Sequence, residues 1–322
     1  MSEPAKKPGH APESYTPKKP EIVNMVEGAQ DVTDMQGAPQ AAPLAGGNKI
    51  LPNIRDINNG CEGKNYGLND CMAFLMECQG EPELDYHLFG GITGDSLTMV
   101  YNRKPTTLCE YCVSGYLAGP EYIGSVFDAI GYAHTYVTAG QINADKAAYL
   151  RMVTESIDKG IPVLVKTNLK DVPGVKTDVI THFLFVGYED GGKTLRLHWY
   201  SAEKIVSFDT TGEIPQDWIF VGEKKRDATV ADIARSAFGK MSYWLTLPEK
   251  DGMFFGPQAF RAWAEDIENG RYDNESDMWG NYGVYACNMA SNSCAAPHTL
   301  AHFARYTQYA DLLDTVTRLY KK

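Results

Sequence analysis

The chain lacks any run approaching the about 18 apolar residues that a membrane-spanning helix needs, and its first twenty residues hold no apolar core of a secretory leader. Basic residues are the minority charge: 30 Lys and Arg stand against 41 Asp and Glu, for a net charge of -11 and a pI near 5.1. An acidic chain has no general attraction for phosphate backbones or anionic lipid, so neither nucleic acid nor a membrane is expected as a partner. Cysteine is sparse and odd in number, seven in all. That excludes a disulfide scaffold and fits reduced thiols in a cytoplasm. Aromatic residues are almost missing from the first fifty positions, which hold only Tyr15 but seven of the seventeen prolines. Such a stretch buries too little apolar surface to offset its ordering entropy. Residues 1–50 therefore read as a mobile tail without chemistry. Its one apolar patch is Ile22, Val23, Met25 and Val26, able to dock transiently on the body or a partner. No internal repeat is present.

What remains is ordinary globular material, 43% apolar and 22% charged in 322 residues, enough for about two domains. LNDCMAFLMECQG (68–80) reads as a helix capped by Asn69 and ended by Gly80. It is apolar on all sides, which marks a buried helix. A glycine-broken aromatic segment, 85–101, follows. Then come a helix over 120–132, a strand over 133–139 and a helix over 143–159, the last with Tyr149, Met152, Val153 and Ile157 on one face. IPVLVKT (161–167) is a continuous apolar strand, and THFLFVGYEDGGKTLRLHWYS reads as a hairpin turning at Glu189–Gly192. DWIFVGEK (217–224) is a further strand. Beyond about residue 226 the apolar spacing becomes helical to the end, where no cap or breaker follows Tyr320 and the chain is expected to stop short of a natural terminus. The expected organisation is a tail (1–50), an α+β domain (51–226) with a mostly antiparallel sheet, and a helical domain (227–322).

Cys71 is the first chemical candidate. With Asn69 as cap it lies in the first helical turn, where the helix dipole favours a thiolate. Its neighbour Asp70 opposes that charge. His182, on a later strand, supplies an imidazole that can take a thiol proton. Asn65, six residues before Cys71, carries an amide able to donate to a developing oxyanion. The bland alternative is that the thiol is a small core side chain and the histidine a structural one.

The order of a helical cysteine, a GIPVLVKT strand and THFLFVGYEDGGKTL resembles the papain-like fold of bacteriocin-processing peptidases. DYHLFGGITGDSLTMVY and FGPQAFRAWAEDIENG are similar to segments of Firmicutes proteins of unknown function. Those are distantly similar to the N-terminal domain of the butirosin-biosynthesis acyltransferase. The resemblance covers about residues 60–322. It implies a nucleophile at the start of the buried helix, matched by Cys71 with Cys61 as an upstream competitor, and a base matched by His182. It also implies an Asp or Asn about sixteen residues after the base, but that position is His198. An imidazole supplies no fixed negative charge to orient an imidazolium.

Two functions follow as expectations. One is a cysteine-dependent acyl hydrolase or acyltransferase on a peptide, amide or thioester, weak or degenerate. The other is a non-catalytic papain-like module that binds a peptide or small acyl metabolite. A third, a structural protein acting through its helical part, has less in its favour. No cofactor or metal is expected. Cys109-Glu110-Tyr111-Cys112 is a single CxxC, His298 and His302 lack the zinc-protease Glu between them, and Cys294 nearby adds only one more ligand type. FGGITGD lacks a phosphate loop's Gly-Lys ending and reads as a tight glycine turn. The acidic WAEDIENGRYDNESD stretch reads as a solvated face.

Overall fold

The computed structural model describes residues 47–57, 63–103, 112–117, 119–176, 180–272 and 282–320. The chain divides into two units, Met1–Ala42 and Pro43–Lys322. The first, and with it most of the expected tail, lies outside the described residues. The tail's boundary moves: Lys49–Ile50 is a strand, β1, whose backbone pairs with Tyr188 and Gly187. Two residues are too short a run to show alternation, so pairing alone reveals them.

The structure is mixed α+β. One sheet is built from β1, β3 (Tyr132–Val137), β4 (Val163–Asn168), β5 (Ile180–Glu189), β6 (Thr194–His198), β7 (Val206–Asp209) and β8 (Asp217–Lys224). The strand order is β3-β8-β4-β5-β6-β7, with β1 on β5, and every pairing is antiparallel. The hairpin expected at Glu189–Gly192 is present. Gly191 and Gly192 take positive φ there, which costs least without a Cβ.

Helix α1 (Gly67–Cys78) is buried from Gly67 to Met76, between the sheet and other helices. Gly80 ends it as expected: with φ 84° it donates to Glu77 O, and Glu81 N–H reaches back to Met76 O. Its start differs from expectation. The N-cap is Tyr66, with no side-chain cap bond, and Asn69 lies inside the helix. A chain already pinned by tertiary contacts does not need the side-chain cap that sequence favours.

Two faces of the sheet are covered. Antiparallel pairing sets His198 opposite Leu184, so His182, Leu184 and His198 share a face. Phe74 of α1 meets His198 on that face, and Phe127 of α4 (Pro120–Ile130) stacks on His134. On the other face, Tyr188 reaches Asp158 of α6 (Lys146–Asp158). The helix expected over 143–159 is α6, which begins three residues late at Lys146, and a short helix not expected, α5 (Ala139–Ala144), precedes it from a capping box on Thr138.

Helix α2 (Tyr86–Thr93) follows α1, and α3 (Val113–Leu117) is short. FGGITGD is mostly helix rather than a turn. Gly91 is there for close approach: a Cβ would lie 2.0 Å from Phe303 Cζ. Only Gly94, at φ 83°, makes the turn.

The boundary expected near residue 226 does not separate two bodies. Helices α7 (Val230–Leu245) and α9 (Gly283–Ala304) place Ile233, Ala237, Trp244, Leu300 and Phe303 in the core that holds α1 and α2. Helical spacing marks a buried face but not the core it joins. A satellite cluster around Met99, Tyr101, Trp263 and Tyr285 unites α8 (Pro257–Glu268) with the ribbon of β2 (Val100–Asn102) and β9 (Met253–Phe255). Helix α10 (Ala310–Tyr320) packs on α9. Among the described residues no helix is long and apolar enough to cross a membrane.

Candidate active site

The geometry around Cys71 follows from two periods meeting. Cys71, Phe74, Leu75 and Cys78 recur at i, i+3, i+4 and i+7 along α1, which gives one stripe. On β5, alternation turns His182 and Leu184 to the face that α1 covers. The structure thus brings Cys71 and His182 into contact, but through the backbone. The Cys71 thiol donates to the His182 carbonyl oxygen at 3.4 Å. Both residues are buried, at 0% and 3% exposure.

Electrostatics follow from that burial. The Cys71 thiol is pushed well above its ordinary pKa by desolvation and by Asp70, with Arg55 opposing. His182 is pushed down to about 3, chiefly by burial and then by the Lys166 charge, so its imidazole is neutral near pH 7. Its Nε2 finds no hydrogen-bond partner among the described residues. A thiol that resists ionisation beside an imidazole that resists protonation opposes a thiolate–imidazolium pair.

The start of the helix tells the same story. Cys71 is the fifth residue of α1, one turn further in than expected, where the dipole's help has faded. The residue at the helix start against β5 is Gly67. A Cβ there would lie 2.6 Å from Thr181 Oγ1 and 3.2 Å from the His182 carbonyl oxygen. No side chain fits at that junction.

The helpers are placed elsewhere. Asn65 Nδ2 donates to Ser291 Oγ on α9, which ties the amide to the helical layer. His198 is fully buried, with Nε2 2.8 Å from the Arg55 carbonyl oxygen, and burial lowers its pKa. It shares His182's sheet face through Leu184 yet spends its nitrogen on the 55–56 segment. Arg55 in turn pairs with the buried Asp70 at 3.0 Å and lies over Phe74. Cys61 lies outside the described residues.

The other motifs resolve simply. Cys109 of the CxxC lies outside the described residues, while Cys112 is buried near Ser114. His298 stacks on His87, His302 Nδ1 lies 3.8 Å from Asp85, and Cys294 is exposed. Among the described residues, no three His, Cys, Asp or Glu side chains converge as metal ligands. The acidic stretch after Trp263 is not all solvated. Asp266 is buried, bonded to Tyr101, Arg103 and Arg271.

Sequence reasoning missed Asp95, the last residue of FGGITGD, which is buried at 0% exposure. A carboxylate straight after the helix-ending Gly94 was the available signal.

The sequence matches no family model and no curated protein.

Proposed function

We propose that this protein is a non-catalytic module on a papain-like core, and that it binds a peptide or a small acyl ligand. One observation carries the first half: the Cys71 thiol is fully buried and donates to the His182 backbone. A cysteine acyl hydrolase or acyltransferase must ionise its thiol and bring it to a carbonyl carbon. Here both steps would require α1 to leave the sheet.

The ligand then sits away from that junction. A groove of about 290 Å³ opens between β1, β5 and β6, with Ile50 and Ile205 as its apolar wall; its charged groups are Lys49, which pairs with Asp158, and Arg196, which pairs with Glu189 of the same lining. Ile50 is 51% exposed there, on a sheet edge. An apolar wall beside a sheet edge and paired charges suits an extended peptide or acyl chain laid along β1.

The test has two arms. Iodoacetamide should modify Cys71 only at the rate of unfolding, and His182→Ala should not slow that labelling. Fast native labelling that depends on His182 would restore the enzyme reading. Hexanoate or a free-acid hexapeptide should raise the melting temperature of the wild type but not of Ile50→Asp. No shift with either ligand removes the binding half.

A further inference from the structure

Residues directly opposite each other in antiparallel strands put their side chains on one face. Asp217 of β8 stands opposite Lys166 of β4, and Lys166 stands opposite His182 of β5. The three therefore form a row across neighbouring strands. The adjacent row on that face is Ile219, Leu164, Leu184 and His198, and His198 meets Phe74 of α1. Side chains so placed have Cβ atoms about 5 Å apart, which leaves the Lys166 ammonium within reach of the His182 ring.

Charge is not closed within the row. Asp217 spends both carboxylate oxygens toward α5: Oδ2 accepts from the Tyr136 hydroxyl at 2.7 Å and Oδ1 from the Ala139 N–H at 2.9 Å. Lys166 is half-buried and makes no hydrogen bond or ion pair among the described residues. His182 is 3% exposed, and its Nε2 has no partner there. Burial, with the Lys166 charge second, keeps that ring neutral near pH 7. In the tautomer with Nε2–H, the pair is one cation beside one neutral donor. A buried donor without an acceptor is costly, and an anion bridging the two relieves it.

We propose that Lys166 and His182 form an oxyanion subsite at the edge of the α1–sheet junction, and that its ligand is a phosphate monoester. Lys166 Nζ pairs with the charge, and His182 Nε2–H donates to a second oxygen. An ammonium is a compact point charge. It lacks the planar fork that grips a carboxylate through two parallel bonds, so it suits a tetrahedral anion that offers oxygens in several directions. Lys166 is also the flexible side chain beside the ring, and its swing admits the ligand oxygen to Nε2. The subsite is independent of the groove at β1. That groove lies against Tyr188, six residues along β5 from His182, or roughly 20 Å.

Inorganic phosphate and phosphoserine, titrated separately into the full chain near pH 7, test the subsite through the isotope-labelled His182 ring. Its signals are assigned by their absence in His182→Gln. Both probes should shift the Nε2 signal saturably, and hexanoate should leave it unmoved. Lys166→Met should weaken both by about tenfold or more, and Lys166→Arg should keep most of the affinity. Ile50→Asp, which alters the groove, should change nothing at this ring. A ring signal that never moves, or wild-type affinity in Lys166→Met, overturns the subsite. Hexanoate moving the ring as phosphate does overturns the choice of a tetrahedral anion. Saturation by inorganic phosphate alone overturns the monoester. Should Lys166→Met fail to fold, the Lys166 ammonium signal of the wild type decides. Moving with the same midpoint as the ring supports the pair, and standing still while the ring saturates overturns it.

Discussion

Helix α1 has two sides, and they are built differently. On the sheet side, Cys71 and Phe74 meet strands whose backbone groups are already satisfied in ladders, so the fill is aliphatic and aromatic. On the helix side, Asn69 meets Thr93, while the α9 surface beyond is made of Asn288, Ser291, Asn292, Ala295 and Ala296. Small and polar residues let helix backbones approach closely and bond through side chains. The two sides also trap opposite titrations. His182, buried neutral against the sheet, resists taking a proton, whereas Asp95, buried among helices, resists losing one. The same desolvation therefore makes acid the threat on one side and base the threat on the other.

The comparison can be broken at several points. The largest effect should come from Phe303→Ala, which empties the site where α9 meets Gly91 and should lower the unfolding free energy by about 4 kcal/mol in urea titrations. A loss under about 1 kcal/mol would mean the helix side is loosely packed. Next is acid. His182 has its pKa depressed, so its contribution is full above about pH 6.5 and is lost as pH falls toward 3. Stability should drop by roughly 3 kcal/mol between about pH 7 and pH 4, and His182→Gln should remove most of that slope. Equal slopes in the two proteins would show the imidazole to be solvated. Gly91→Ala should cost about 2 kcal/mol by overpacking, and Phe303→Leu in the same chain should recover part of it. Simple additivity would deny the contact. The smallest effect serves as a control: Thr229 caps α7 at the surface, away from both sides of α1. Thr229→Ala should cost about 1 kcal/mol and leave both pH dependences unchanged.

The candidate site was legible in part. That Cys71 meets the His182 strand was expected from the order of a helical cysteine and a later strand histidine, which the resemblance pairs, and the two do come together. That the thiol meets a carbonyl rather than an imidazole was not, since it depends on how deep α1 sits. Asn65 is close in sequence to Cys71 but is drawn away by Ser291, a residue no local pattern connects to it.

Sequence by itself determined the elements with a period: α1, β4, the β5–β6 hairpin, β8, α7 and α8. It also determined the positive-φ glycines that end or turn them. Tertiary structure decided the rest. Strands β1, β2, β7 and β9 have four residues or fewer, too few for a period, and exist because a distant partner completes their hydrogen bonds. The first half of α9 shows no apolar stripe, because beside Tyr285 it buries the amides and hydroxyl of Asn288, Ser291 and Asn292. Whether Cys71, His182 and Asp95 face water or core was likewise settled only by packing. A side chain's pKa and reach depend on neighbours brought from elsewhere in the chain, and local sequence does not name them.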